Sequence, residues 1–131
     1  MITMKFTALV TIAAVVYTFL LSGSVGMART KTGINAPAMA GAPDFDKAFR
    51  IHMNTVEQLV LFVPVLWLAV TVVGDLWAAG IGAVWIVGRL IYAAGYRKDV
   101  DKRGPGMLMT LASTAVLTVV ALWGVVQAFI V

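Results

Sequence analysis

The sequence contains no cysteine and a single histidine, His52, in 131 residues. The first absence excludes disulfides, thiolate metal sites and a cysteine nucleophile, and it leaves the redox compartment undetermined. With one histidine and no cysteine, no metal centre is expected, because transition metals draw their ligands mainly from those two residues. Charge is scarce as well. Lys, Arg, Asp and Glu make up 12% of the chain against 61% apolar residues, whereas a soluble domain carries about 25% charged residues. Too few polar groups are present to cover a water-facing surface. The net charge is +4, but the basic residues lie between hydrophobic runs rather than in a patch, so no nucleic acid is expected as a partner. The charges point instead to a membrane surface or an anionic ligand.

What the chain does have is four apolar runs. Each is long enough to cross a hydrocarbon core, which takes roughly 20 residues. They cover residues 6–27, 48–73, 76–96 and 105–131. So few segments cannot close a barrel, so the expected fold is all-α: one integral-membrane four-helix bundle over residues 1–131. Pro105 suits the first turn of the fourth helix, where its missing N–H costs nothing. Gly74-Asp75 reads as a tight turn with Asp75 as N-cap of the third helix. The first run has a second reading as a signal peptide, since Gly26-Met27-Ala28 resembles a small-x-small cleavage site. Against it, the run exceeds the roughly 7–15 apolar residues of such a region, and Arg29 and Lys31 follow it while only Lys5 precedes it.

Loops one and three share a side of a four-helix protein. Between them they carry Arg29, Lys31, Lys47, Arg50, Arg97, Lys98, Lys102 and Arg103; the opposite side has only Lys5. The positive-inside rule then makes both loops cytoplasmic and puts both termini outside. The expected location is a multi-pass position in a bacterial inner membrane rather than an organelle membrane.

Polar side chains within membrane helices are costly and therefore call for a functional reading. The second helix carries Arg50, Asn54 and Glu57 at i, i+4, i+7, which is one face; the third carries Arg89, Tyr92 and Tyr96 at i, i+3, i+7, again one face. Counting from the cytoplasmic side at about 1.5 Å per residue, Asn54 lies about 6 Å deep and Glu57 about 10 Å. On the returning helix Tyr92 lies about 7 Å deep and Arg89 about 12 Å. Matched depths pair Glu57 with Arg89 and Asn54 with Tyr92, and create a polar pocket open to the cytoplasm. Its expected mouth is ringed by Arg29, Arg50, Arg97, Lys98, Lys102 and Arg103. Each residue also has a plainer role. Glu57 with Arg89 can be a structural ion pair, the loop cations can be topology signals on lipid phosphates, Tyr96 an interfacial anchor, and His52 a hydrogen-bonded interface residue. Trp67, Trp77, Trp85 and Trp123 read as lipid or helix packing, and Asp99 and Asp101 as solvated loop charges.

The segments Phe49-Arg50-Ile51-His52-Met53-Asn54-Thr55-Val56-Glu57 and Gly88-Arg89-Leu90-Ile91-Tyr92, followed by Gly95-Tyr96 and by Arg103, resemble one family over nearly the whole chain. It is the family of membrane-associated proteins in eicosanoid and glutathione metabolism. The resemblance implies a homotrimer with active sites between adjacent subunits, and glutathione as cofactor or substrate. By position it implies glutathione contacts from Arg50, Asn54, Glu57, Tyr92, Tyr96 and Arg103 of one subunit and from Arg29 and His52 of its neighbour. Arg89, on the polar face of the third helix, is counted with the glutathione-binding residues of the pocket. Arg103 matches the arginine that stabilises the glutathione thiolate, and the thiolate would attack a lipophilic electrophile dissolved in membrane lipid.

The chain departs from the eicosanoid branches of that family. The cysteinyl-leukotriene synthases have a tyrosine at the place of Gln58 and an arginine at that of Thr30, and prostaglandin E synthase has a serine at that of Gly104. The resemblance therefore implies a general glutathione transferase with scope for peroxidase activity. A non-catalytic lipid- or glutathione-binding protein of the same fold is the alternative, and retention of Arg103 with Asn54, Glu57 and Tyr96 favours the enzyme. Small four-helix multidrug exporters share the size but carry a key glutamate in helix one, where this chain has no acid. The charge count makes a first prediction. A reporter fused in the Lys98–Lys102 loop reads as cytoplasmic and one at the C-terminus as outside; finding both on one side sinks the four-span topology.

Overall fold

The computed structural model describes residues 2–131. Four long helices run α1 Lys5–Thr32, α2 Pro43–Val73, α3 Asp75–Lys98 and α4 Gly104–Ile130, with a 3-10 turn at Val100–Arg103 between the last two. No strand is present among the described residues. All four helices are long and apolar enough to cross a membrane. Even the shortest, α3 with 24 residues, extends about 36 Å, more than the ~30 Å hydrocarbon core.

The helices outrun the apolar stretches that announce them. α2 begins at Pro43 rather than near residue 48, because Pro43 occupies the first turn and Asp44 and Asp46 complement the positive helix end. Hydropathy marks the span inside the membrane, whereas capping chemistry marks where the helix begins. Pro64 lies inside α2 and cannot donate to the carbonyl one turn back, a defect that membrane helices accommodate.

Asp75 does not cap its own helix, contrary to the expectation from the Gly74-Asp75 turn. It is the first residue of α3, and its side chain makes no cap bond there. Its two carboxylate oxygens instead accept from the backbone N–H groups of Phe6 at 3.0 Å and Thr7 at 2.7 Å. Those are orphan donors of the first turn of α1, so Asp75 caps a neighbouring helix and fastens it to the start of α3.

Small residues decide how the helices meet, as is usual where lipid tails remove the hydrophobic drive for association. A methyl group on Gly106 of α4 would run into the backbone of Tyr92 and the carbonyl of Gly88 on α3. A methyl on Gly95 would strike the carbonyl of Lys102, so Gly95 admits the 3-10 turn against α3. One core cluster then fills the bundle centre around Ala14, Phe62, Leu66, Trp85 and Leu117, with Phe62 and Trp85 stacked at 4.4 Å. A second cluster of Leu21, Ile51, Tyr92 and Ala93 packs beneath Tyr17, Tyr96 and Met107. Of the tryptophans, Trp85 is buried, while Trp77 and Trp123 face outward among many exposed apolar side chains, as lipid contact requires.

Gly106→Ala is expected to lower stability by about 1–3 kcal/mol through overpacking against α3. Gly80→Ala, where an added methyl meets nothing within 4 Å, serves as the control. Equal melting of the two variants in detergent would show that the close approach contributes nothing.

Candidate functional site

Arg50 and Asn54 stand one turn apart on α2, and Tyr92 and Tyr96 one turn apart on α3. These four, with Arg103 of the 3-10 turn and Met107 of α4, line one open cleft of about 190 Å³. Ligand pockets commonly measure about 300–1,000 Å³, so one chain presents a small cleft by that standard. The position of Arg103 follows from its turn. The Asp99 carboxylate accepts from Asp101 N–H at 3.0 Å, Lys102 N–H donates to the Asp99 carbonyl at 2.9 Å, and Gly95 makes room for the Lys102 carbonyl. The Arg103 side chain is exposed at the rim, its guanidinium 6.0 Å from the centre of the Tyr96 ring.

The cleft wall is backed by a buried cation. Arg89 has no exposed surface and does not line the cleft. Its Nε donates to Thr110 Oγ1 at 3.0 Å, its Nη1 to Asn54 Oδ1 at 2.7 Å and its Nη2 to Met107 Sδ at 3.8 Å. Its guanidinium also lies 4.2 Å from the centre of the Tyr92 ring, a cation–π contact that strengthens when water is excluded. The pairing of Arg89 with Glu57 expected from matched depth does not occur. Asn54 is a turn nearer the surface but reaches Arg89, while Glu57 turns toward Arg50 at 3.7 Å and accepts from Asn54 Nδ2 at 3.4 Å. Depth along a helix gives height but not direction around the axis, and the shorter amide occupies the direction of Arg89. Nor does Asn54 bond Tyr92; the two share the cleft wall instead.

The remaining expected residues lie apart from this cleft. Arg29 reaches its own first loop, donating to the Ile34 carbonyl at 3.4 Å with its guanidinium 4.6 Å over the Phe45 ring. His52 follows Arg50 by two residues, about 200° around the helix, and is partly exposed on another face. Arg97, expected at the mouth, instead lines a separate cleft of about 230 Å³ with Lys31, Asp44 and Lys47. Thr110 and Met107 were not singled out from sequence, because α4 reads as an uncharged span. The one available signal is a hydroxyl and a thioether three residues apart, level with the polar faces of α2 and α3.

The sequence pattern of the MAPEG family matches residues 7–123, a stretch that includes every residue of the cleft. The chain belongs to the MAPEG family. Among its MAPEG relatives is an uncharacterised Synechocystis protein, sll1147, 41% identical over 115 residues, which are 88% of this chain and 84% of that one. Human microsomal glutathione S-transferase 2 is 35% identical over 106 residues, 81% of this chain and 72% of the relative. Bovine leukotriene C4 synthase is 28% identical over 123 residues, 94% and 82% respectively. Membership of the MAPEG family and the four long apolar helices make the protein a multi-pass integral membrane protein.

Two charged contacts of this MAPEG site differ in what they do for the fold. The Arg50–Glu57 pair is more than half exposed on both sides, and such pairs contribute about 1 kcal/mol or less. The buried bond from Arg89 to Thr110 cannot be replaced by water. Glu57→Gln is therefore expected to change stability by no more than about 1 kcal/mol, and Thr110→Val to cost about 1–3 kcal/mol by orphaning a charged donor. Denaturation in detergent checks this; a larger loss in Glu57→Gln would reverse the assignment of roles.

Proposed function

We propose that this protein is a membrane-bound glutathione transferase that conjugates the glutathione thiolate to lipophilic electrophiles, with glutathione peroxidase activity as a further capacity. The observation that carries the reading is the convergence of Arg50, Asn54, Tyr92, Tyr96 and Arg103 on one cleft beside Glu57. Glutathione presents two carboxylates, one ammonium and one thiol. The cleft offers guanidinium forks for carboxylates, and Glu57 stands beside it to take the ammonium. The names of the microsomal glutathione S-transferase 2 and leukotriene C4 synthase relatives support the same chemistry. Glutathione is in this reading a consumed co-substrate.

The working unit is a homotrimer with sites between subunits. Three features support it: the small cleft of the single chain, the position of Arg29 and His52 away from it, and the exposed apolar faces of the helices. In the assembled site Arg29 and His52 of a neighbouring copy complete the glutathione contacts. The membrane is a bacterial inner membrane with loops one and three cytoplasmic, in keeping with the basic residues of those loops and the cyanobacterial relative.

Chemically, the thiol proton leaves to solvent as the sulfur binds beside Arg103. The thiolate attacks the electrophilic carbon, a carbon–sulfur bond forms, and the leaving group departs with the bonding pair. Arg103 lowers the thiol pKa from its free value of about 8.5 by favouring the anion. The purified protein should therefore turn over glutathione with a chromogenic aryl halide, and absence of any turnover would favour a binding role only.

Arg103→Ala separates catalysis from topology. Glutathione affinity should survive largely, since the carboxylate and ammonium contacts remain. The bound thiol pKa should rise toward its free value, so turnover near neutral pH falls and recovers partly in alkali. Arg103→Lys should rescue poorly because a point ammonium does not reproduce the guanidinium fork. Thiolate absorbance titrated against pH decides the matter: superimposed curves for wild type and both variants would remove Arg103 from the mechanism.

A further inference from the structure

Among the described residues Arg89 is the one fully buried cation, and the proposed chemistry does not use it. Among the described residues the ion pairs are Lys31–Asp44 and Arg50–Glu57, so no carboxylate neutralises Arg89. A membrane-embedded arginine without a counter-ion is costly, and a plain structural tie between helices needs no charge. Its hydrogen bonds form a chain with one direction. Thr110 donates its only proton to the Gly106 carbonyl at 2.9 Å, so its lone pair is free to accept from Arg89 Nε. Arg89 donates in turn to Asn54 Oδ1, Asn54 Nδ2 donates to Glu57 Oε2, and the other Glu57 oxygen faces Arg50.

Arginine can only donate, and an ionised glutamate can only accept. An asparagine held between them has a single satisfactory orientation, with oxygen toward the cation and amide hydrogens toward the carboxylate. Without the cation the Asn54 oxygen loses the partner that anchors it, and only the 3.4 Å contact to Glu57 is left to order the amide. We propose that Arg89 is a positioning residue for ligand recognition. From behind the cleft it sets the orientation of the Asn54 amide, which holds the Glu57 carboxylate where it receives the ammonium of glutathione. The proposal rests on the ammonium role given to Glu57 above.

The test uses the purified full-length protein in detergent and two ligands: glutathione, and its analogue with hydrogen in place of the γ-glutamyl amine. Calorimetry of the wild type should show glutathione binding about ten- to a hundredfold tighter than the analogue, the range of a charge-assisted hydrogen bond. In Arg89→Met this preference should collapse toward one, while affinity for the analogue stays within about threefold. Arg89→Lys should not restore it, since one point donor does not hold Thr110 and Asn54 in a fixed fork. Thr110→Val guards against a change in the cleft itself: it leaves every cleft residue in place but removes the partner that fixes Arg89 Nε, and the preference is expected to fall in the same direction. Equal loss of both ligands in Arg89→Met, or a preference retained in either variant, overturns the proposal and leaves the transferase reading intact. A wild type that binds both ligands equally overturns the ammonium role of Glu57 and the proposal with it. A wild type that binds neither overturns the glutathione reading itself.

Discussion

The backbones of α3 and α4 meet through Gly88 and Gly106, with no room for a methyl between them, and the polar cleft depends on that approach. Only at such a short distance does a hydroxyl as small as that of Thr110 reach the guanidinium of Arg89 across the interface. Only then does Met107 come level with Tyr92 and Tyr96 to complete a wall. In water the two helices would be pressed together by burial of apolar surface. In lipid, close packing and interhelical hydrogen bonds must replace that drive, and this interface supplies both at the same level.

The spans were legible because nothing in the chain competes with them: four apolar runs, with basic residues gathered in two loops. The residues of the cleft were legible through their spacing, since i, i+4, i+7 puts Arg50, Asn54 and Glu57 on one face whatever the tertiary fold. Pair identities were not. Counting residues places Glu57 level with Arg89, but two groups at equal height can point past one another, and the amide of Asn54 lies in the way. Asp75 illustrates a stronger limit. As a local signal it reads as an ordinary cap, and its actual partners Phe6 and Thr7 lie 69 and 68 residues earlier. The early start of α2 was hidden for the opposite reason, because Pro43, Asp44 and Asp46 are polar or helix-breaking by composition and mark a helix start only through capping.

Charge in this molecule falls into two regimes. Lys31–Asp44 and Arg50–Glu57 are exposed, at separations of 3.4 and 3.7 Å, and their geometry is easily exchanged for water or for a ligand. Inside the bundle, Arg89 has traded water for an amide, a hydroxyl, a thioether and an aromatic face. The outer pair is suited to yielding to an incoming charged molecule, and the inner cation to holding its position while that happens. In the proposed transferase the buried cation would form the back wall of the ligand site and the exposed pair its rim.

The bond between Asp75 and the start of α1 has a consequence for biosynthesis. The ribosome delivers α1 first, and the carboxylate that closes its exposed end is not made until the third helix emerges. Until then the leading amides of α1 are left to water or lipid headgroups, although α2 is already there for the rest of α1 to pack against. The cap is thus the last part of the α1 environment to be made, and a chain stalled after two helices carries α1 with its first turn still open.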